Sequence, residues 1–466
     1  MNKKKLIILF FITAIVCSNN LPVLSIENPL EHKRTKEKIK VEKRVDKKKS
    51  KQQTADKKVE YMNLAWWQKF NDPILVDYII KTATDNYDIK INELKVLQGK
   101  SAVQEGYALQ LPTISFDVQG SKSGYMKTYA IPIGVNYEVD IWGKNYNIRK
   151  KLQKDYEAMQ FDEKAAFISL TTLTATAYFN ILNLDKQIEI QNQLVNIRKE
   201  ILELTKVNFK YGLASSTDVT QMDKLFTESE SNLEIYKKNR SRLLNQLAVL
   251  IGSSSESSNE LARTSIDEIQ PLKGLPLSIE SEIVNQRPDI LSMEAQLKAA
   301  MFDVKAARKS LFPSITINGN WGYNFYSMGG AFFDYKDFMT TLGAGIMQPI
   351  FQGGRLIAQL KGKKYKYEEM FNTYQKTILT SFQEINDSLA DLKSDTIKNT
   401  NDIKRFQDET KYFQDINFKY EKGAISYLDT LKFKETLLIT QQDEMQSKTD
   451  CLIDSLSLYK AVGGKL

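Results

Sequence analysis

The sequence predicts an α+β membrane protein built by internal duplication, in which each copy sets a β-hairpin between long helices. Three observations predict it. The chain matches itself at a constant offset, its apolar residues switch between periods of 3 to 4 and of two, and no run after the N-terminus reaches the 18 consecutive apolar residues of a spanning helix.

The duplication organises the whole chain. Within its 466 residues, "NYDI" (86–89) matches "RPDI" (287–290) and "LPTISF" (111–116) matches "FPSITI" (312–317), both at an offset of 201. From residue 131 the offset becomes 211, so Ile131 to Lys144 aligns with Leu342 to Arg355, Phe209/Gly212/Asp218 with Tyr420/Gly423/Asp429, and Gly252 with Gly463. The ten extra residues of the second copy fall in 324–338, which reads as a longer hairpin loop.

Each copy begins with a helix of about 35 residues (74–108; 277–310) that Pro112 or Pro313 ends. A strand follows. In "ITINGNWGYNF", Ile315, Ile317, Gly319, Trp321, Tyr323 and Phe325 share one face, with Thr316, Asn318, Asn320 and Asn324 on the other. The return strand of the first copy is "IPIGVNYEVDIWGK" (131–144), which alternates from Ile131 to Ile141 and carries Glu138 and Asp140 on its polar face. The apolar row suits lipid and the carboxylates suit a water-filled lumen. The return strands are expected to end at Gly143 and at Gly353 and Gly354.

A helical pattern of about 65 residues comes next, with Leu170, Leu173, Ala177, Ile181, Leu184, Ile188, Leu194, Ile197, Ile201 and Leu204 stepping as in a coiled coil. It reverses at Gly212 or Gly423, and a helix of about 35 residues returns to Gly252 or Gly463. Two helices of that length match one long one. The expected stacking is across the copies: helix 216–251 against helix 277–310, and the last helix beneath the one starting near residue 74, with both ends of the folded body near the middle.

Four strands of bilayer-spanning length cannot close a barrel, and open edges are not tolerated in lipid, so the chain is expected to oligomerise. Two copies would supply eight strands around a filled interior. Three would supply twelve around a wet lumen, with the long helices forming a second tube beneath.

Charge and composition exclude other classes. Residues 1–60 hold 16 Lys/Arg against 7 Asp/Glu, a net of +9 against +8 for the whole chain, so residues 61–466 net −1 and do not resemble a nucleic-acid binder. His32 is the single histidine and lies in the lysine-rich segment, which removes His-based triads and His-ligated zinc sites from the body. With no phosphate-binding glycine loop and no cysteine cluster, neither an enzyme nor a cofactor is expected. Cys451 reads as a small packing residue.

The expected boundaries are a signal peptide over 1–25, a Lys-rich linker over 26–60, a first repeat over 61–252, an equatorial connector over 253–276 and a second repeat over 277–466. Three lysines and the apolar run Leu6 to Val16 make the signal. Cys17 is a candidate lipid acceptor, although Val16 departs from the small residue such signals place before the cysteine, and "VLS" ending at Ser25 is a competing cleavage site.

"WWQKFNDPILVDYIIKTATDNYDI" (66–89), "YEVDIWGK" (137–144), "GLPLSIESEIVNQRPDILSMEAQLKAAMFDVKAARKSLFPSITI" (274–317) and "LYKAVGG" (458–464) resemble the TolC-like outer-membrane efflux protein family, its lipoprotein branch in particular. The resemblance implies a homotrimer with a twelve-stranded barrel in the outer membrane, four strands per chain, continuous with a helical barrel across the periplasm. It implies a passive exit duct for tripartite efflux or type I secretion, docked to a periplasmic adaptor protein and driven by an inner-membrane transporter. The family's adaptor-contact tips fall on Gly212, Leu213 and Ser215 and on Gly423, Ala424 and Ser426. Its apolar aperture ring falls on Leu428, with Lys432 where many members carry an aspartate; Asp429, beside Leu428, is expected to join the constriction, the alternative being that it caps the helix after the tip. The competing class is an exported, soluble coiled-coil interaction protein. The cargo is not legible.

Overall fold

A computed structural model describes residues 63–276, 278–279, 281–328 and 335–466; the expected signal peptide, the lysine-rich linker and Cys17 lie outside the described residues. The described residues begin with α1 (Leu64–Trp67) and a single 3-10 turn, followed by α2 (Pro73–Asp85) and α3 (Tyr87–Ala108). Three strands follow, β1 (Thr113–Phe116), β2 (Gln119–Ser123) and β3 (Met126–Val139), then α4 (Lys144–Lys210) and α5 (Ser216–Leu250). After two 3-10 turns, the second half holds α6 (Ser281–Val284), α7 (Pro288–Lys309), β4 (Ser314–Met328), β5 (Tyr335–Met347), α8 (Arg355–Glu421) and α9 (Tyr427–Ala461).

α4 and α8 have 67 residues each, about 100 Å at a rise of 1.5 Å per residue. α4 packs against α3 and α5 of its own copy and against α7 and α9 of the other, whereas α8 packs chiefly against α7 and α9. That difference explains their sequences. Flanked by helices of both copies, α4 buries residues around most of its circumference, from Phe167 and Tyr178 to Ile181, Leu194 and Ile201. Of its coiled-coil positions, Leu173 alone stays exposed, at 42%. α8 buries a single narrow row that includes Ile385, Leu392 and Ile416.

The expected 35-residue helices are broken, at Asn86 and at Arg287, and the breaks set the stacking. Asn86 caps α3, its Oδ1 accepting the N–H groups of Asp88 (2.8 Å) and Ile89 (3.1 Å), while its Nδ2 donates to the carbonyl of Leu250 at the end of α5 (2.8 Å). Arg287 plays the corresponding part for α7: its Nη1 donates to the carbonyl of Ala461 at the end of α9 (2.7 Å) and its Nη2 pairs with Asp289 (2.7 Å) and Glu384 (2.6 Å). Each return helix therefore abuts the first helix of its own copy, α5 under α3 and α9 under α7, and the expected exchange between copies does not occur. The reason is electrostatic and steric. The negative end of one helix dipole meets the positive end of the next, and a Cβ at Gly252 would lie 2.6 Å from the Asp85 carbonyl oxygen. The two ends of the body do meet, through Asn63 Nδ2 and the Gly464 carbonyl (3.1 Å).

Around this level lies the main core. Trp66 stacks on Tyr459 with centroids 4.0 Å apart, and Trp67, Phe70 and Phe179 close around them. Asp72 ties the connector in: its Oδ2 accepts the hydroxyls of Tyr178 (2.7 Å) and Thr264 (2.8 Å). Cys451 is buried, as its packing role requires, and burial pushes its thiol up to about 11.

The sheet has the order β1-β3-β4-β5, with β2 continuing the β1 arm alongside β3. The first of the four expected arms is broken at Asp117 and Val118. Pro132, opposite the break, accepts the Asp117 N–H (3.1 Å) but has no N–H to return on that side. Of the segment 324–338, expected to be loop, residues 324–328 and 335–338 are strand, with Asn324 paired to Asp337 and Phe325 to Lys336. The return strands also stop earlier than expected, at Val139 and Met347.

Replacing Arg287 removes several charge-assisted hydrogen bonds from one helix junction. Arg287→Ala is expected to cost about 2–3 kcal/mol, with little recovery in Arg287→Lys because the ammonium lacks the fork. Denaturant unfolding of the detergent-solubilised protein measures this, and equal midpoints for the variants and the parent would show that the junction does not stabilise the fold.

Candidate functional site

The register of the sheet separates two faces. Ile315, Ile317, Trp321 and Tyr323 lie opposite Val139, Tyr137, Ile133 and Ile131, and Phe116 joins them across β3. On the other face Asn318 lies between Asn136 and Gly343, and Asn320 between Gly134 and Thr341. The apolar row from Ile315 to Phe325 covers about 35 Å of strand, or about 25 Å of height at the tilt of about 40° usual in membrane barrels. One face thus suits hydrocarbon and the other water.

The two carboxylates expected on the wet face are engaged where strand becomes helix. The strand ends at Val139, which leaves Ile141 in a turn and Asp140 free to cap α4: its carboxylate accepts the N–H groups of Asn145 (3.0 Å) and Tyr146 (2.7 Å). Glu138 pairs with Lys144 at 2.5 Å. Trp142 fastens the two copies together, donating its indole N–H to the Pro313 carbonyl (2.7 Å) and stacking on Phe312. Glu138 and Asp140 are therefore junction residues, a role that strand alternation alone does not reveal.

At the far end of the helices the two tips share one design. After α4, the N–H groups of Gly212 and Leu213 bond back to Phe209 (3.0 Å) and Asn208 (2.8 Å); after α8, those of Gly423 and Ala424 bond to Tyr420 (2.9 Å) and Lys419 (2.8 Å). Gly212 and Gly423 have φ of 74° and 72°, and a Cβ on either would meet nothing within 4 Å, so the turn alone requires glycine and the tips are open. Ser215 and Ser426 cap the following helices, each hydroxyl accepting the N–H three residues on, from Asp218 and Asp429 (both 3.1 Å). Leu213 is 77% exposed.

Of the aperture candidates, Leu428 is half-buried and packs on the core of the hairpin. Asp429 is exposed and accepts the Ser426 hydroxyl (2.6 Å). Lys432 lies 3.9 Å from Asp429. It also acts on Asp218 from the other tip, whose carboxyl is lowered first by its hydrogen bonds to Ser215 and then by this cation. The structure thus joins Ser215, Asp218, Ser426, Asp429 and Lys432 at one end. Sequence spacing missed Arg198, which binds Glu435 (2.8 Å) and the Leu225 carbonyl (3.0 Å) and so ties α4, α5 and α9 together above the tips. A lone arginine on a helix gives no such signal.

A second feature unseen in the sequence lies higher, between α8 and α9. Burial and the neighbouring carboxylates of Asp395 and Asp391 push the carboxyl of Asp454 up to about 7. Among the described residues, no group of His, Cys, Asp and Glu side chains is arranged to hold a metal ion.

An amphipathic sheet with open edges, continued by long paired helices that end in tight tips, defines a channel-forming protein of the outer membrane. The chain belongs to the outer membrane efflux protein family, whose model matches residues 81–253 and 280–464. It is similar to the pyoverdine export outer membrane protein OpmQ of Pseudomonas aeruginosa, with 26% identity over 417 residues covering 86% of this chain and 87% of that protein. It is also similar to the probable outer membrane lipoprotein SilC of Salmonella typhimurium, at 25% over 422 residues, covering 87% and 88%. Among solved structures, the CmeC outer membrane channel of Campylobacter jejuni superposes with a TM-score of 0.77 at 22% identity, covering 86% of this chain and 88% of that one. CusC gives 0.72 at 23%, covering 86% and 94%. The protein is an outer-membrane efflux channel whose helices extend into the periplasm.

Because the folded-state pKa of Asp454 is raised above that of an unfolded carboxyl, its contribution to stability is full below about pH 4 and is lost as pH rises through about 7. Asp454→Asn is expected to raise the thermal midpoint at pH 8 and to leave it unchanged at pH 4. A gain of equal size at both values would place the effect in packing rather than titration.

Proposed function

We propose that three copies of the chain close a twelve-stranded barrel and a helical tube beneath it, forming the passive exit duct of a tripartite efflux or type I secretion system. One observation carries the reading: the sheet has one apolar face, one polar face and two edges, β5 and the β1/β2 arm, that pair with nothing else among the described residues. Lipid cannot satisfy the backbone groups of such edges, and neighbouring copies can. Twelve strands leave a lumen, whereas eight are filled by side chains.

The helices support the same assembly. α8 exposes Ile357, Leu379, Ile397 and Phe418, and α3 at the opposite border exposes Ile91, Leu94 and Leu97. Each border is an unburied helix face of the kind a neighbouring copy covers. A soluble coiled-coil protein would leave both these borders and the apolar sheet face in water.

In this reading the tips at Gly212, Leu213 and Ser215 and at Gly423, Ala424 and Ser426 meet a periplasmic adaptor, which couples the duct to an inner-membrane transporter. Leu428 and Asp429, repeated three times around the axis, form the narrowest ring, and Lys432 replaces the acidic charge that other members carry there, weakening the ring's pull on cations. The names of its relatives, which include a pyoverdine export protein and a toluene efflux pump protein, leave the cargo to the pump.

The full chain purified in detergent is expected to be a trimer that conducts in planar bilayers. Leu428→Ala is expected to raise single-channel conductance severalfold, and Lys432→Asp to shift selectivity toward cations. A monomer without pores would refute the duct, while a conducting trimer indifferent to both substitutions would move the ring elsewhere.

A further inference from the structure

The two 67-residue helices leave the sheet with the same unusual charge pattern. Residues 144–154 of α4 hold Lys144, Arg149, Lys150, Lys151 and Lys154 with no carboxylate, and residues 355–367 of α8 hold Arg355, Lys361, Lys363, Lys364 and Lys366, again with none. Neither helix has an acidic residue in its first turn. A helix N-terminus favours anions, so this placement runs against the helix dipole and calls for an outside source of negative charge.

Part of the charge is balanced within the chain. Lys144 pairs with Glu138, Lys151 with Asp155, Lys154 with Glu157, Lys363 with Asp303 and Lys366 with Glu369. Of the other five, Arg149, Lys150 and Lys364 lie in two places. Arg149 lies over the rings of Tyr107 (4.6 Å) and Tyr146 (5.1 Å), with Lys150 also near Tyr146 (5.7 Å). Between α7 and α8, an open groove of about 260 Å³ is lined by Lys305, Arg308 and Lys364 with Met301, Val304 and Tyr367, against the single carboxylate of Glu368. None of these three cations makes an ion pair with a carboxylate within 4.0 Å among the described residues.

Position decides what the groove meets. The apolar band of the sheet ends at Ile315 and Val139, and Trp142 and Phe312 stack just below it, as interfacial aromatics do. Arg308 and Lys305 follow one to two turns further, about 6 and about 10 Å below Phe312 by helical rise, at and just beneath a headgroup layer about 6 Å thick. We propose that this groove, on the periplasmic face of the barrel, binds the phosphate of an anionic phospholipid of the inner leaflet, with Lys305, Arg308 and Lys364 on the phosphate, the acyl chains directed past Phe312 toward the apolar band, and Met301, Val304 and Tyr367 flooring the groove on its periplasmic side. The exposed Tyr107 and Tyr146 beneath Arg149 extend the same surface around α4.

The proposal rests on the sheet lying in a bilayer, and the test separates the two. Full-length protein is reconstituted in nanodiscs of phosphatidylethanolamine with phosphatidylglycerol, re-extracted in mild detergent, and its retained lipid measured by native mass spectrometry. Parent trimers are expected to keep phosphatidylglycerol in preference to phosphatidylethanolamine, and Lys305→Gln/Arg308→Gln/Lys364→Gln to lose about tenfold of that preference with conductance unchanged. Inorganic phosphate at millimolar concentration is expected not to displace the lipid. Should the triple variant not assemble, the single variant Lys364→Gln on the exposed side of α8 is read the same way. Equal retention by parent and variant, displacement by free phosphate, or unchanged retention with altered anion selectivity of the pore would each overturn the lipid site, the last by putting these cations on the passage itself. Absence of pores in the parent would instead overturn the duct.

Discussion

Asn86 and Arg287 each bridge the end of one helix and the start of the next, and the periplasmic architecture depends on these two bridges. A 67-residue helix can be accompanied along its length only by a partner equally long, and the chain makes that partner from two pieces. The pieces line up because the carbonyls left open at the end of α5 or α9 receive a side-chain donor from the residue that starts α3 or α7. Opposite helix-end partial charges then face each other across the gap. Without the bridges, each gap would expose unpaired backbone groups in the middle of the packed layer.

The second constraint is the sheet, whose edges one chain cannot close. Its register puts like beside like on both faces, so the amphipathic character of each strand becomes that of a continuous surface. Carboxylates at the strand ends serve the change from strand to helix: Asp140 supplies the acceptor that the N-terminus of α4 lacks in its own first turn, and Glu138 holds the first lysine of that helix. The surplus cations beyond this junction make sense against an anionic leaflet.

Polar groups placed deep between helices give the periplasmic layer its sensitivity to conditions. Burial, reinforced by the neighbouring carboxylates of Asp395, Asp391 and Asp450, holds the Asp454 carboxyl up at about 7. Arg198, by contrast, holds three helices through one guanidinium just above the tips. Such contacts favour one packing of the helical hairpins over others, since their hydrogen bonds require fixed partners.

The duplication, the class of each element and the tips were legible in the sequence because periodicity, glycine and proline are local signals. So was the open sheet, since counting strands shows that one chain cannot close it. The comparison "NYDI" with "RPDI" marked two corresponding positions, yet it did not show that both interrupt a helix, because a capping asparagine and an arginine share no local code. Whether α5 would meet α3 or α7 could not be decided from lengths, which are the same for both choices; the bond from Asn86 to Leu250, 164 residues away, decides it. The tasks of Glu138 and Asp140, the grouping of Lys432 with Asp218 and the groove between α7 and α8 likewise depend on residues far apart in the chain. What the sequence determined by itself is the list of elements and the faces they must bury. Which ends touch, and which charges those contacts neutralise or leave for a partner, was decided only by the tertiary structure, since pairing between distant groups has no period to read.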